Sequence, residues 1–131
     1  MRRDIKVLIV DDMPSMRRLV GSLLQSIGFT NIAEAENGDQ ALHRLRKDDE
    51  FKCVVTDWNM PVMTGIELLQ NIRAEEQLRH LPVLLVTAEA SRQNVLAAAK
   101  AGASGYIVKP FNSATLKTKM DNILRLKSDP D

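Results

Sequence analysis

The chain has 131 residues, 44% of them hydrophobic, and its 18 basic and 17 acidic side chains leave a net charge of +1. That length supports one domain with its own core and is short for two. The interspersed, nearly balanced charge excludes a general field for nucleic acid or an anionic membrane, so recognition has to come from local patches. Cys53, the only cysteine, rules out an internal disulfide and, set in an apolar run, reads as a small buried hydrophobe. His43 and His80 make no zinc-type cluster. Met1-Arg2-Arg3 leads into a single strand-length apolar run, too short for a signal peptide or a membrane span, so a cytoplasmic protein is expected.

Residues 5–10 form a near-continuous apolar run, the pattern of a strand covered on both faces. The run stops at Asp11-Asp12. Met13-Pro14 follows, and proline suits the first turn of a helix, where its missing N–H costs nothing. Met16, Leu19, Val20, Leu23, Leu24 and Ile27 recur at three-four spacing and Gly28 closes them, predicting a helix with one stripe on the sheet. Residues 31–35 predict a weaker strand. Asn37-Gly38 turns into a helix carrying Ala41, Leu42 and Leu45, and residues 46–50 read as a mixed-charge, solvated loop.

The run Phe51-Lys52-Cys53-Val54-Val55-Thr56-Asp57 is β-branched and apolar and ends on an acid before a Met-Pro turn. It predicts an interior strand whose last residue emerges at the carboxyl edge of the sheet. Beyond Thr64-Gly65, the residues Ile66, Leu68, Leu69 and Ile72 form a helical stripe. Residues 82–87 predict a fourth strand ending on the Thr87 hydroxyl, and the alanine-rich residues 94–101 a helix stopped by Gly102. Residues 106–110 predict a short last strand. Leu116, Met120, Ile123 and Leu124 mark a final helix, and residues 127–131 are expected to fray. Met13, Met16, Met60, Met63 and Met120 read as gap-filling core or loop residues.

Strands alternating with helices imply right-handed crossovers and an α/β fold, a five-stranded parallel sheet doubly wound by five helices, in one domain over about residues 5–126. Such a topology puts every strand's carboxyl end on one edge, the edge where open α/β sheets hold ligands. Asp11, Asp12, Asp57, Thr87 and Lys109 all occupy such ends. Three carboxylates gathered there would repel by about 4 kcal/mol per pair at about 4 Å and an effective dielectric near 20. Lys109 offsets one charge, and an all-oxygen site with few protein ligands suits Mg²⁺ for the rest. Taken singly, Asp-Asp after a strand is often a capping turn and Lys-Pro a surface turn. The force lies in their coincidence, which supports an aspartyl-phosphate at Asp57 with Lys109 as electrostatic partner.

Val10-Asp11-Asp12, Thr56-Asp57-Trp58-Asn59-Met60-Pro61, Val86-Thr87-Ala88-Glu89-Ala90 and the segment from Gly102 to Lys109-Pro110-Phe111 resemble the receiver domain of two-component response regulators, and most closely its single-domain chemotaxis members. The resemblance covers residues 5–124. It implies a flavodoxin-like fold, phosphorylation of Asp57 by the phosphohistidine of a CheA-type kinase, and Mg²⁺ bound by Asp12 directly, Asp11 largely through water, Asp57 itself and the Asn59 backbone carbonyl. It further implies that Lys109 contacts the phosphoryl group and that Thr87 and Tyr106 carry the switch, with Asn59 and Glu89 tuning dephosphorylation. An output face of Ala90, Val95, Tyr106, Phe111 and Lys119 on a monomer would bind the flagellar motor switch protein FliM, and a phosphatase is a further partner. Met13-Pro14 departs from the aromatic-Ser usual at the metal-site rim, and Ser91, Val95 and Asn112 depart from the best-known motor-binding face. Alternatives are a receiver serving as phosphate sink or acting on a non-flagellar target, and an aspartyl-phosphate hydrolase. The hydrolase wants an acid two residues after the nucleophile, where this chain has Asn59. A flavin-binding protein would want a glycine-rich phosphate loop after the first strand, which is missing.

Overall fold

Apolar runs bounded by turn residues become the strands of one parallel sheet in a computed structural model that describes residues 3–125. Met1, Arg2 and the tail expected to fray lie outside the described residues. In chain order the elements are β1 (Lys6–Val10), α1 (Pro14–Ser26), β2 (Ile32–Ala35), α2 (Gly38–Lys47), β3 (Phe51–Asp57), α3 (Gly65–Ala74), β4 (Val83–Thr87), α4 (Arg92–Ala101), β5 (Gly105–Val108) and α5 (Ser113–Leu124). The strand order is β2-β1-β3-β4-β5 with every pair parallel. In register, Val10 lies opposite Ala35 and Thr56, Asp57 opposite Val86, and Thr87 opposite Val108, so the strand ends share one edge. Among the described residues no helix is long and apolar enough to cross a membrane.

Successive strand residues face opposite sides of the sheet, and both sides are dry. Leu8, Val10, Val54 and Leu85 pack with Leu42, Leu45, Leu69 and Ile72 beneath α2 and α3. Val7, Ile9, Cys53, Val55 and Leu84 pack with Val20, Leu24, Leu116 and Met120 beneath α1 and α5. Burial pushes the Cys53 thiol from 9.0 up to about 12, which keeps it protonated and unreactive at neutral pH. Its role as a buried hydrophobe is thereby met.

Local chemistry sets the helix ends. Asn37, Thr64, Ser91 and Asn112 each cap a helix by accepting a backbone N–H three residues on. Gly102, at φ 92°, closes α4 in the left-handed conformation. That helix has a thin footing: Ala98 is its one buried residue, and Leu96 is 59% exposed. Its C-terminal end is tied by Arg73, whose guanidinium donates to the Gly102 carbonyl at 2.9 Å and to the Leu81 carbonyl at 2.7 Å.

The structure corrects the sequence reading in three places. Leu19 is 49% exposed, because a helical turn of 100° per residue carries it off the face that buries Val20 and Leu24. The last strand runs from Gly105 to Val108 rather than over residues 106–110, and the Lys109-Pro110 peptide is a cis turn beyond it. Residues 46–50 are more than a solvated loop. Arg46 and Lys47 complete α2, Arg46 pairs with Glu75, and Lys6 Nζ lies 2.5 Å from Asp48 Oδ2. A further charged cluster, centred on the buried Arg3 and Asp121, lies near the start of β1. Arg3 Nη2 lies 2.8 Å from Asp121 Oδ1, and Lys117 Nζ lies 3.0 Å from the other oxygen. Arg3 also stacks over the Phe29 ring, 5.1 Å from its centroid. The Arg3-Asp121 contact is an ion pair without hydrogen-bond alignment.

Candidate functional site

Asp57 ends β3 only 6% exposed, and its backbone is fixed from three sides. The Trp58 N–H donates to the Val86 carbonyl at 2.9 Å and so continues the ladder one residue beyond the acid. The Thr56 hydroxyl donates to the Asp57 carbonyl at 3.0 Å. Gly65 returns beneath the strand, its N–H donating to the Trp58 carbonyl at 2.8 Å. A β-carbon at position 65 would sit 2.4 Å from the Asp57 carbonyl oxygen, so only glycine fits there. The reciprocal Thr64-Glu67 capping box then starts α3.

Asp11 follows β1 and is buried, whereas Asp12 is exposed. The Asp11 N–H donates to the Ala35 carbonyl at 3.2 Å, and its Oδ1 accepts the Met13 N–H at 2.9 Å. Arg17 Nη1 donates to the Asp11 carbonyl at 2.7 Å, and Arg17 Nε to Glu34 Oε1 at 2.8 Å. Carboxylate oxygens of Asp11, Asp12 and Asp57 all lie within 4.8 Å of one another. Lys109 Nζ lies 3.1 Å from Asp57 Oδ1, carried by a turn whose backbone N–H donates to the Thr87 carbonyl at 2.8 Å. Burial raises the Asp11 carboxyl above its ordinary range. The Met13 N–H opposes that rise, and the nearby Asp57 charge adds to it. The cluster is thus an all-oxygen donor set with one ammonium against three acids, which fits a hard divalent cation such as Mg²⁺. The side chains supply the carboxylate oxygens, and Asn59, exposed on the loop after Asp57, is near enough in sequence to add a carbonyl.

Thr87 is buried at the end of β4, and its hydroxyl is engaged within its own loop. It donates to the Glu89 carbonyl at 3.0 Å and accepts the Glu89 N–H at 3.2 Å. The Glu89 carbonyl also accepts from Asn94 Nδ2 at 2.9 Å, which joins that loop to α4. Tyr106 is half-buried on β5, opposite Leu85, with Lys119 Nζ over its ring at 4.9 Å from the centroid. Tyr106, Phe111 and Lys119 line one open groove of about 460 Å³ together with Val108 and Thr115. Ala90, exposed after β4, and Val95, half-buried on α4, are not among its lining residues. The structure therefore brings together the acids and lysine expected at one edge, and groups three of the five output residues around a groove.

Sequence reasoning missed Arg17, Glu34 and Gly65. A usable signal existed for the arginine. Arg17, Val20 and Leu24 stand at i, i+3 and i+7, which puts Arg17 on the sheet-facing side of the first helical turn.

With this geometry in hand, comparison with known proteins is informative. The sequence model of the response regulator receiver domain matches residues 7–121. The chain is 58% identical over 123 residues to the chemotaxis protein CheY-3 of Vibrio cholerae, covering 94% of each chain. It is 55% identical over 119 residues to the chemotaxis protein CheY of Pseudomonas aeruginosa, covering 91% of this chain and 95% of that one. Among solved structures, the chemotaxis response regulator CheY4 of Vibrio cholerae superposes with a TM-score of 0.83 at 37% identity, over 92% of this chain and 98% of that one. The receiver domain of a Pseudomonas aeruginosa sensor histidine kinase, solved with a magnesium ion coordinated in its active-site cleft, gives 0.82 at 25% identity, over 93% and 98%.

Proposed function

The chain belongs to the response regulator receiver family and is of the CheY chemotaxis type, and from that premise we propose that it is a binding module switched by phosphorylation of Asp57. The observation that carries this reading is the contact of 3.1 Å between Lys109 Nζ and Asp57 Oδ1, beside acids gathered within 4.8 Å. An Asp57 carboxylate oxygen attacks the phosphorus of a phosphohistidine on a CheA-type kinase. The new O–P bond forms as the P–N bond breaks, and the electron pair leaves with the imidazole nitrogen. Lys109 stabilises negative charge on the transferring oxygens. Asp11, Asp12, Asp57 and the Asn59 carbonyl hold Mg²⁺, which when bound supplies charge neutralisation to the same oxygens. Support for the metal comes from the donor chemistry above and from the magnesium held by the related receiver domain.

Phosphorylation adds charge beside Thr87. Its hydroxyl exchanges the Glu89 carbonyl for a phosphoryl oxygen and Tyr106 turns inward, changing the groove it shares with Phe111 and Lys119. A differential contact free energy of about 2.7 kcal/mol shifts such an equilibrium roughly a hundredfold. The output is binding to a motor switch protein of the FliM type by the face that also includes Ala90 and Val95, and Asn59 and Glu89 govern water access during hydrolysis of the acyl phosphate. The protein is not an enzyme on other substrates, and it acts in the cytoplasm as a monomeric single receiver unit. Incubation with acetyl phosphate and Mg²⁺ tests the reading. Mass spectrometry should show one added phosphoryl group on the parent and none on Asp57→Ala, and equal labelling of both overturns the assignment. Beryllofluoride-treated protein should capture the switch protein where untreated protein does not.

A further inference from the structure

We infer that Arg17 is a positioning residue for the metal-holding acids: its planar guanidinium fixes the direction of the Asp11 carbonyl and thereby aims the Asp12 carboxylate at the cation. The inference rests on the metal reading above and concerns how this chain achieves it.

Asp12 is exposed, so packing does not set the direction of its side chain. The backbone on either side does. Ahead of it, Asp11 is pinned by its N–H to Ala35 and by its carbonyl to Arg17. After it, the Met13 N–H is pinned to Asp11 Oδ1. The Asp11-Asp12 peptide is a rigid plane, so holding its carbonyl holds the Asp12 N–H and Cα, and with the Met13 N–H pinned on the other side it restricts the rotation that would swing the Asp12 Cα–Cβ bond. Arg17 is the group that holds that carbonyl, at 2.7 Å. Its own aim is fixed by Glu34 at 2.8 Å, an anchor on β2. The Arg17 side chain is only 13% exposed whereas Glu34 is 47% exposed. The ion pair with Glu34 is therefore a screened one of small energy, while the bond to the carbonyl lies in the better shielded half of the link. A fork is needed because one planar group must serve two acceptors in different directions, which a lysine ammonium on a flexible stem does not reproduce.

Electrostatics alone predicts the opposite sign from positioning. A guanidinium beside a cation site repels the cation, so deleting it should tighten binding, whereas loss of a group that orients ligands weakens metal affinity by about 10–100-fold. The full chain is titrated with MgCl₂ and followed by the fluorescence of Trp58, the neighbour of Asp57. A second readout is the rise in Tm that saturating Mg²⁺ produces over the EDTA-treated protein. Arg17→Gln should weaken Mg²⁺ binding by about tenfold and shrink that rise. Arg17→Lys should fall between it and the parent, and Arg18→Gln, at an exposed neighbour, should match the parent. A purely structural arginine would lower Tm in EDTA while leaving the Mg²⁺ increment intact, and that result, or unchanged or tighter binding by Arg17→Gln, overturns the inference. If Arg17→Gln does not fold, Arg17→Lys and Glu34→Gln carry the test, each expected to lose affinity, and parental affinity in both overturns it. A parent that binds no Mg²⁺ at millimolar concentration overturns the metal reading, and this inference with it.

Discussion

The two edges of the sheet treat charge in opposite ways. Near the amino ends of the strands every acid of the ion pairs has at least one cation beside it: Asp48 has Lys6, Glu75 has Arg46, and Asp121 has both Arg3 and Lys117. At the carboxyl edge three acids share one lysine, and burial raises the Asp11 carboxyl. One edge is arranged for stability, the other tolerates repulsion that only a ligand relieves. A local rule broken at one place in an otherwise consistent chain is where function is to be sought.

Breaking the better-matched edge should cost most. Asp121→Ala strands the buried Arg3 guanidinium, and a loss of about 3 kcal/mol is expected in urea unfolding, as for other broken buried pairs. At the opposite edge the sign reverses. Asp12→Asn removes a repelling charge and should raise stability in EDTA by about 1 kcal/mol, a Coulomb term discounted for the exposure of that residue. The same change should abolish most of the stabilisation that Mg²⁺ gives the parent, measured by thermal melts with and without the ion. Arg46→Ala, at an exposed pair, should cost no more than about 0.5 kcal/mol, and less at high salt.

Acid titration sharpens the contrast with the smallest effect. The Lys6 ammonium holds Asp48 below its ordinary 3.8, and the Arg46 guanidinium holds Glu75 below its ordinary 4.5. Over that window the unfolded chain binds more protons at these sites, so their contribution is present above about pH 4.5 and fades as pH falls through the folded values. Asp11 is raised, so for it the folded state binds more protons, and stability declines as pH rises from 3.8 through its folded value. Urea titrations of the metal-free protein between pH 3 and 6 should show Asp11→Asn removing that decline and Glu75→Gln flattening the acid-side loss.

The parallel sheet and the meeting of Asp11, Asp12, Asp57 and Lys109 at one edge were legible because they follow from apolar runs, their terminal residues and crossover handedness. The ion pairs were not. Arg3 and Asp121 are separated by nearly the whole chain, and nothing local distinguishes a charged residue that will be buried by a distant partner from one left in water. The side of the helix that carries Arg17 could be read from its spacing with Val20 and Leu24, but its acceptor is a backbone carbonyl, which carries no mark in the sequence. Leu19 was misplaced because a three-four pattern tolerates one residue on either side of the true stripe. The Thr87 hydroxyl was expected at the site edge, and its bonds to Glu89 depend on a turn that residue types alone do not define.

Helix α4 has a consequence of its own. Ala98 is its one fully buried residue, Val95 and Ala101 beside it are half-buried, and its ends are tethered by Asn94 to the Glu89 carbonyl and by Arg73 at Gly102, so few apolar groups oppose a slide or tilt of this helix. Its outward residues are consequently free to be rewritten for a different client, since neither the sheet nor the acid cluster relies on them for support.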